Sequence, residues 1–202
     1  MKTAIIDYGM GNVASVQKAL NFLKIENIIT CNHREIEEAD AIILPGVGAF
    51  KQGMDNLNLY NLMPVLNEQV LIKQKPFMGF CLGMQLLATT GTEVINCNGL
   101  GWIAGTVKKI EEPQKRIPHL GWNDITVTKK DFLTAVDQKD FYFIHSYHFD
   151  VDDKEHIAAT VNYGKNYVAA IQYKNIFATQ FHPEKSQDAG LTLLSGIYKY
   201  YA

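Results

Sequence analysis

The stretch Pro76–Leu87, Pro-Phe-Met-Gly-Phe-Cys-Leu-Gly-Met-Gln-Leu-Leu, constrains this chain more than any other. A proline followed by the apolar run Phe77–Phe80 predicts a buried strand, and Leu82–Ala88 predicts the first turns of a helix. Between them, Gly79-Phe80-Cys81-Leu82-Gly83 has the Gly-x-Cys-x-Gly form of a nucleophile elbow. In so tight a turn, side chains two positions either side of the nucleophile would strike neighbouring backbone, and glycine at both places removes the clash. The nucleophile then stands exposed above the sheet. The helix N-terminus beneath Cys81 favours a thiolate, and the Leu82 N–H can donate to an oxyanion. Taken alone, the stretch also fits a buried cysteine in a glycine-flanked turn.

A cysteine nucleophile needs a base. Ile176–Phe181 reads as a strand and runs directly into His182-Pro183-Glu184. If Pro183 keeps the backbone extended, His182 and Glu184 point to the same side. The carboxylate can then hold one ring nitrogen while the other faces a thiol. Cys81, His182 and Glu184 together make a candidate nucleophile, base and orienting acid.

These motifs resemble the class I (triad) glutamine amidotransferases. Asp7-Tyr8-Gly9-Met10-Gly11-Asn12, Pro45-Gly46-Val47-Gly48, Pro118-His119-Leu120-Gly121-Trp122-Asn123, His145-Ser146-Tyr147 and His182-Pro183-Glu184-Lys185-Ser186 carry the likeness further, across almost all 202 residues. The finer resemblance is to the glutaminase subunits of imidazole glycerol phosphate synthase. Phe80 departs from the pattern, where the family more often has a smaller aliphatic residue. The resemblance implies one α/β domain over residues 1–202, a three-layer sandwich with a mixed, mostly parallel, flavodoxin-like sheet. It implies hydrolysis of L-glutamine to glutamate and ammonia, with no metal or organic cofactor. The oxyanion donors would be Leu82 and the peptide of Val47 or Gly48, and Gln85, Glu93, Ser146 and Tyr147 would hold the glutamine. Asn12, Trp122 and Lys185 would face the partner, a (β/α)8-barrel cyclase that uses the ammonia to form imidazole glycerol phosphate and AICAR. A non-catalytic binding module sits poorly with an intact triad. A sister amidotransferase serving another acceptor remains open.

Along the chain, Thr3–Asp7, Asn27–Cys31 and Ala41–Leu44 read as strands, and Asn12 can cap a helix with Val13, Val16, Leu20 and Leu23 on one face. Gly9–Ala14 spells G-x-G-x-x-A, but the strand near Asn27–Cys31 ends without the acid that a dinucleotide site requires. Gly46 and Gly48 are not followed by Gly-Lys-Ser/Thr, so they are no phosphate cradle. Lys51–Gln74 reads as helix broken at Pro64, and Gly99–Val127 as short strands, with His119 and Trp122 in a loop. Phe141–His145, Ile157–Val161, Val168–Gln172 and Ile176–Phe181 are further strands, and Asp188–Tyr200 is a helix with Leu191, Leu194 and Tyr198 on one face. His145 and His148 lack the further ligands a metal needs.

A net charge of −2 with scattered lysine pairs argues against a nucleic-acid surface. The cysteines Cys31, Cys81 and Cys97 have neither disulfide-framework nor zinc spacing, which fits a reducing cytosol. Only Ala4–Ile6 precede Asp7 as an apolar run, so no signal peptide is expected, and no run has the ~20 apolar residues of a membrane helix.

Overall fold

Ala41-Ile42-Ile43-Leu44 contains no polar residue, as a strand covered on both faces requires. The computed structural model, which describes residues 1–129 and 131–201, makes this run an interior strand of a nine-stranded sheet. The elements in chain order are β1 (Thr3–Ile6), α1 (Val13–Phe22), β2 (Asn27–Thr30), α2 (His33–Glu38), β3 (Ala41–Gly46), α3 (Phe50–Leu59) and α4 (Leu62–Asn67). They continue with β4 (Phe77–Cys81), α5 (Leu82–Gln85), β5 (Thr90–Gly91), β6 (Cys97–Asn98), β7 (Gly105–Lys109) and β8 (His119–Val127). Then come β9 (Asp140–His145), β10 (Tyr147–Val151), β11 (Ile157–Tyr163), β12 (Lys165–Tyr173), β13 (Ile176–Thr179) and α6 (Gln187–Tyr201).

The large sheet runs β2-β1-β3-β4-β13-β12-β11-β8-β9. Its first five strands are parallel, in the order of a flavodoxin-like sheet, and the rest pair antiparallel. A second sheet, β10-β7-β5-β6, stands beside it. Alternate residues of the parallel strands enter two apolar layers. Ile42 and Leu44 of β3 pack with α2, α3 and α4 on one face, while Ala41 and Ile43 pack with α1 and α6 on the other. Helix, sheet and helix are thus the three layers. No helix is long and apolar enough to cross a membrane among the described residues.

Four local expectations are corrected. The long helix breaks at Tyr60–Asn61, where Asn61 is left-handed (φ +53°), and not at Pro64. Pro64 instead lies in the first turn of α4, where a missing N–H has no intrahelical acceptor to lose. The helix after the elbow is a single turn, Leu82–Gln85, so its dipole is a weaker aid to a thiolate than a run to Ala88 would give. His119 and Trp122 belong to strand β8, not to a loop: His119 is buried and Trp122 is exposed. The strand before the histidine ends at Thr179, and Pro183–Lys185 form a 3-10 turn rather than extended backbone.

Candidate active site

Register places the chemistry. Gly46 at the end of β3 lies beside Cys81 at the end of β4, and Thr179 of β13 lies beside Phe80. Everything that follows these three strands therefore meets at one carboxyl edge of the parallel half. Cys81 itself has φ +52° and ψ −106°, a costly backbone for any residue except glycine. Its neighbours allow this turn. A Cβ on Gly83 would sit 1.8 Å from the Leu44 carbonyl oxygen, and one on Gly79 would sit 2.8 Å from that of Gly83. A Cβ on Gly46 would meet the Tyr8 hydroxyl at 2.5 Å. The elbow closes only because these positions carry no side chain.

His182 reaches Cys81 from β13, and four hydrogen bonds fix its turn. His182 N–H donates to the Tyr142 carbonyl (3.0 Å), Lys185 N–H donates to the His182 carbonyl (3.1 Å), and Ser186 Oγ donates to the same carbonyl (2.6 Å). Ser186 Oγ also accepts from Tyr142 N–H (3.0 Å). The 3-10 turn brings Glu184 back to its partner, with Oε1 2.8 Å from His182 Nδ1 and both side chains almost fully buried. The other ring nitrogen, Nε2, is buried without a hydrogen-bond partner. Burial disfavours a charged His182, but the Cys81 sulphur and the Glu184 carboxylate outweigh it and raise its pKa to about 9. A protonated His182 is the counter-ion that a Cys81 thiolate needs.

The two peptides expected to face an oxyanion differ in their hydrogen bonding. Leu82 N–H opens α5, where backbone donors have no intrahelical acceptor. Val47 N–H instead donates to the Met10 carbonyl at 2.6 Å. Gly48 follows with φ +110°, a conformation open to glycine.

A cleft of about 600 Å³ opens beside Cys81, and Val47, Gly48, Leu82, Gln85, Glu93, Ser146, Tyr147 and Lys185 line it. Asn12 and Trp122 lie outside it. Among the described residues, no three His, Cys, Asp or Glu side chains converge as a metal site would require.

The family model for glutamine amidotransferase class-I matches residues 4–195. The chain belongs to the class I glutamine amidotransferases. A Campylobacter jejuni protein named imidazole glycerol phosphate synthase subunit HisH 1 is 47% identical, over 96% of this chain and 98% of its own. The subunit HisH of Pelagibacter ubique is 40% identical over 98% and 99%. These likenesses place the chain in the HisH branch of that family. A crystal structure titled glutamine amidotransferase superposes with TM-score 0.75 at 18% identity, covering 96% of this chain and 98% of the other, and bears on the fold alone.

Gln85 Nε2 donates to the Tyr147 carbonyl (2.9 Å) and to Gln180 Oε1 (3.0 Å), which uses both amide hydrogens. Its Oε1 is the atom left for a ligand, and an acceptor suits an ammonium group. Glu93 Oε2 accepts from Phe50 N–H (2.7 Å), leaving the other oxygen for the cleft. Asn12 caps α1 by accepting from Ser15 N–H (3.2 Å). Trp122 meets the Tyr142 ring edge-on at 5.9 Å, and Lys185 Nζ lies 6.0 Å from the same ring.

Three residues around the site carried no functional role in the sequence reading. Gln180 is fully buried and its Nε2 lies 3.7 Å from Cys81 Sγ. Period-two alternation from Thr179 could have flagged it as a polar residue on a buried strand end. Tyr142 lies across from Trp122 on β9, which only the pairing register reveals. Tyr8 is wholly buried with an unpartnered hydroxyl, and burial followed by the nearby Cys81 charge raises its pKa far above the usual phenol range.

Proposed function

We propose that this chain, acting as one domain over residues 1–202, is the glutaminase subunit of a cytosolic imidazole glycerol phosphate synthase. The observation that carries the reading is the buried His182–Glu184 pair set against Cys81 on its strained elbow, in a chain of the HisH branch. Glutamine enters with its amino-acid end toward Gln85, Glu93 and the Ser146–Tyr147 backbone, and with its side-chain amide at Cys81. The Cys81 thiolate adds to the amide carbon, and the negative oxygen forms opposite Leu82 N–H and the Val47–Gly48 segment. Collapse of this adduct breaks the C–N bond as His182 gives its proton to the departing ammonia. A γ-glutamyl thioester remains. His182 then takes a proton from water, the hydroxyl adds to the thioester, and glutamate leaves as the thiol is restored. Glu184, bonded to Nδ1, keeps Nε2 aimed at these transfers and stabilises the imidazolium.

The relatives are named as synthase subunits, and a subunit implies a partner. We take that partner to be the cyclase, docked over the edge that carries Asn12, Trp122 and Lys185, so that ammonia passes across instead of into solvent. Val47, Leu120, Trp122 and Ile144 are exposed apolar residues around the same edge, which suits a covered surface. The test is Cys81→Ala. Glutamine-dependent product formation by the complex should vanish while turnover with ammonium salt persists, because the cyclase requires only ammonia. Glutamine-dependent turnover in the variant would overturn the assignment.

A further inference from the structure

Outside the catalytic set, two histidines stand opposite each other across β8 and β9, His119 beside His145. Their rings belong to one continuous line of hydrogen bonds. Asn123 Nδ2 lies 3.0 Å from His119 Nε2, His119 Nδ1 lies 3.0 Å from His145 Nε2, and His145 Nδ1 lies 2.8 Å from the Tyr147 carbonyl oxygen.

The end of the line dictates the position of every proton. A carbonyl only accepts, so His145 Nδ1 carries hydrogen and its Nε2 must accept. His119 Nδ1 therefore donates, its Nε2 accepts, and the Asn123 amide supplies that donor. Asn123 Nδ2 also reaches the Asn162 carbonyl at 3.4 Å, which sets its amide the same way round. Packing fixes the plane of the His119 ring, which stacks between Phe143 (4.7 Å) and Tyr163 (4.0 Å), and the two hydrogen bonds select its orientation in that plane. Burial lowers the pKa of His119 to about 4 and that of His145 to about 3, so both rings are neutral near pH 7. The terminal acceptor is the Tyr147 carbonyl that Gln85 also holds.

We propose that His119 and His145 are positioning residues of the glutamine pocket, locked together in the Nδ1–H tautomer so that they hold the Tyr147 carbonyl, and with it the Ser146–Tyr147 backbone, in its binding geometry. The proposal rests on reading the cleft at Cys81 as the glutamine site. The line begins at Asn123, next to Trp122 on the strand assigned to the partner face.

Long-range 1H–15N correlation spectra of the full chain labelled in histidine nitrogen read the tautomers directly, without any turnover. Both rings should show protonated Nδ1, the form that free imidazole disfavours, and an Nε2–H signature at either would overturn the proposal. His119→Phe fills the stack but leaves His145 Nε2 without a donor. In the assembled complex it should raise KM for glutamine about tenfold or more while changing kcat less. His119→Asn, whose amide nitrogen sits near the lost Nδ1, should recover much of that loss. Unchanged KM in His119→Phe, or a fall in kcat alone, would also overturn it. If the wild-type complex hydrolyses no glutamine, the site assignment fails, while the tautomer result still stands or falls by itself.

Discussion

Replacing Val47 by glycine should activate the isolated chain. Val47 N–H is committed to the Met10 carbonyl at 2.6 Å, so it is not available to an oxyanion at Cys81. Turning it inward rotates the Gly46–Val47 peptide by about 180°, which changes ψ of Gly46 and φ of Val47. Glycine 46 takes its share at little cost. Val47 is not among the residues with positive φ, and the rotation carries it there. For a β-branched residue that costs about 1–3 kcal/mol, and the lost hydrogen bond adds about 0.5–1.5 kcal/mol. Together these span roughly a 10- to 2,000-fold bias toward the outward peptide, a range that contains the 10²–10³ that one missing oxyanion donor costs. Val47→Gly removes the φ penalty. Glutamate release by the isolated chain at saturating glutamine should therefore rise about 5- to 150-fold, with the cyclase-bound rate changed far less. Val47 is 40% exposed, so the substitution leaves the core intact. No gain in the isolated chain, or an equal gain in the complex, would refute the reasoning.

Glu184→Gln should lower glutamine turnover less than His182→Ala, because the acid orients and stabilises the imidazole at 2.8 Å without itself transferring protons; equal losses in folded variants would give Glu184 a chemical role. Gly83→Ala should fail to yield a native fold, since its Cβ would stand 1.8 Å from the Leu44 carbonyl oxygen, and a cooperative melting transition near that of wild type would contradict the elbow geometry. The raised pKa of His182 means that its charged interactions stabilise fully below its unfolded value near 6.5 and are lost as pH rises through about 9. The Tm difference between wild type and His182→Ala should accordingly shrink across that interval. His119 and His145 have lowered pKa values, so their contribution is full above about 6.5 and falls as pH drops toward about 4 and then about 3; circular dichroism melts across this range should show the acid-side loss.

Much of the site was legible because its signals are local. Gly79 and Gly83 flank Cys81 for a steric reason that spacing alone conveys, and His182 with Glu184 required only their separation. The route was less legible than the result: the pair meets through a 3-10 turn, not through extended backbone. The central parallel strands β3 and β4 are uninterrupted apolar runs, Ala41–Leu44 and Phe77–Phe80. β10, by contrast, reads Tyr-His-Phe-Asp-Val, with polar residues on its open face, and the two-residue strands β5 and β6 are too short to show any period. Trp122 in β8 looked like loop because Pro118 and Gly121 punctuate the sequence, whereas the strand holds through pairing with β9. Asn61 ends α3 by adopting a left-handed backbone, and an asparagine gives fainter notice of that than a proline does of a break. Gln180, Tyr142 and Met10 act through long-range contacts, and no local pattern contains those.

The position of β13 has a consequence for how activity first arises in a new molecule. This strand is the last of the large sheet to be made, yet it inserts between β4 and β12 at the sheet's centre. His182 follows its end, so Cys81 and His182 stay apart until the pairing of β13 with β4, the most distant strand pairing among the described residues, is complete. Contacts between segments so far apart in sequence form late, because the entropy of closing the intervening chain must be overcome first. A partly synthesised or partly folded molecule can build the elbow and still lack its base. On the proposed function, glutamine would be safe from an immature copy, and hydrolysis would begin only once the sheet has closed around β13.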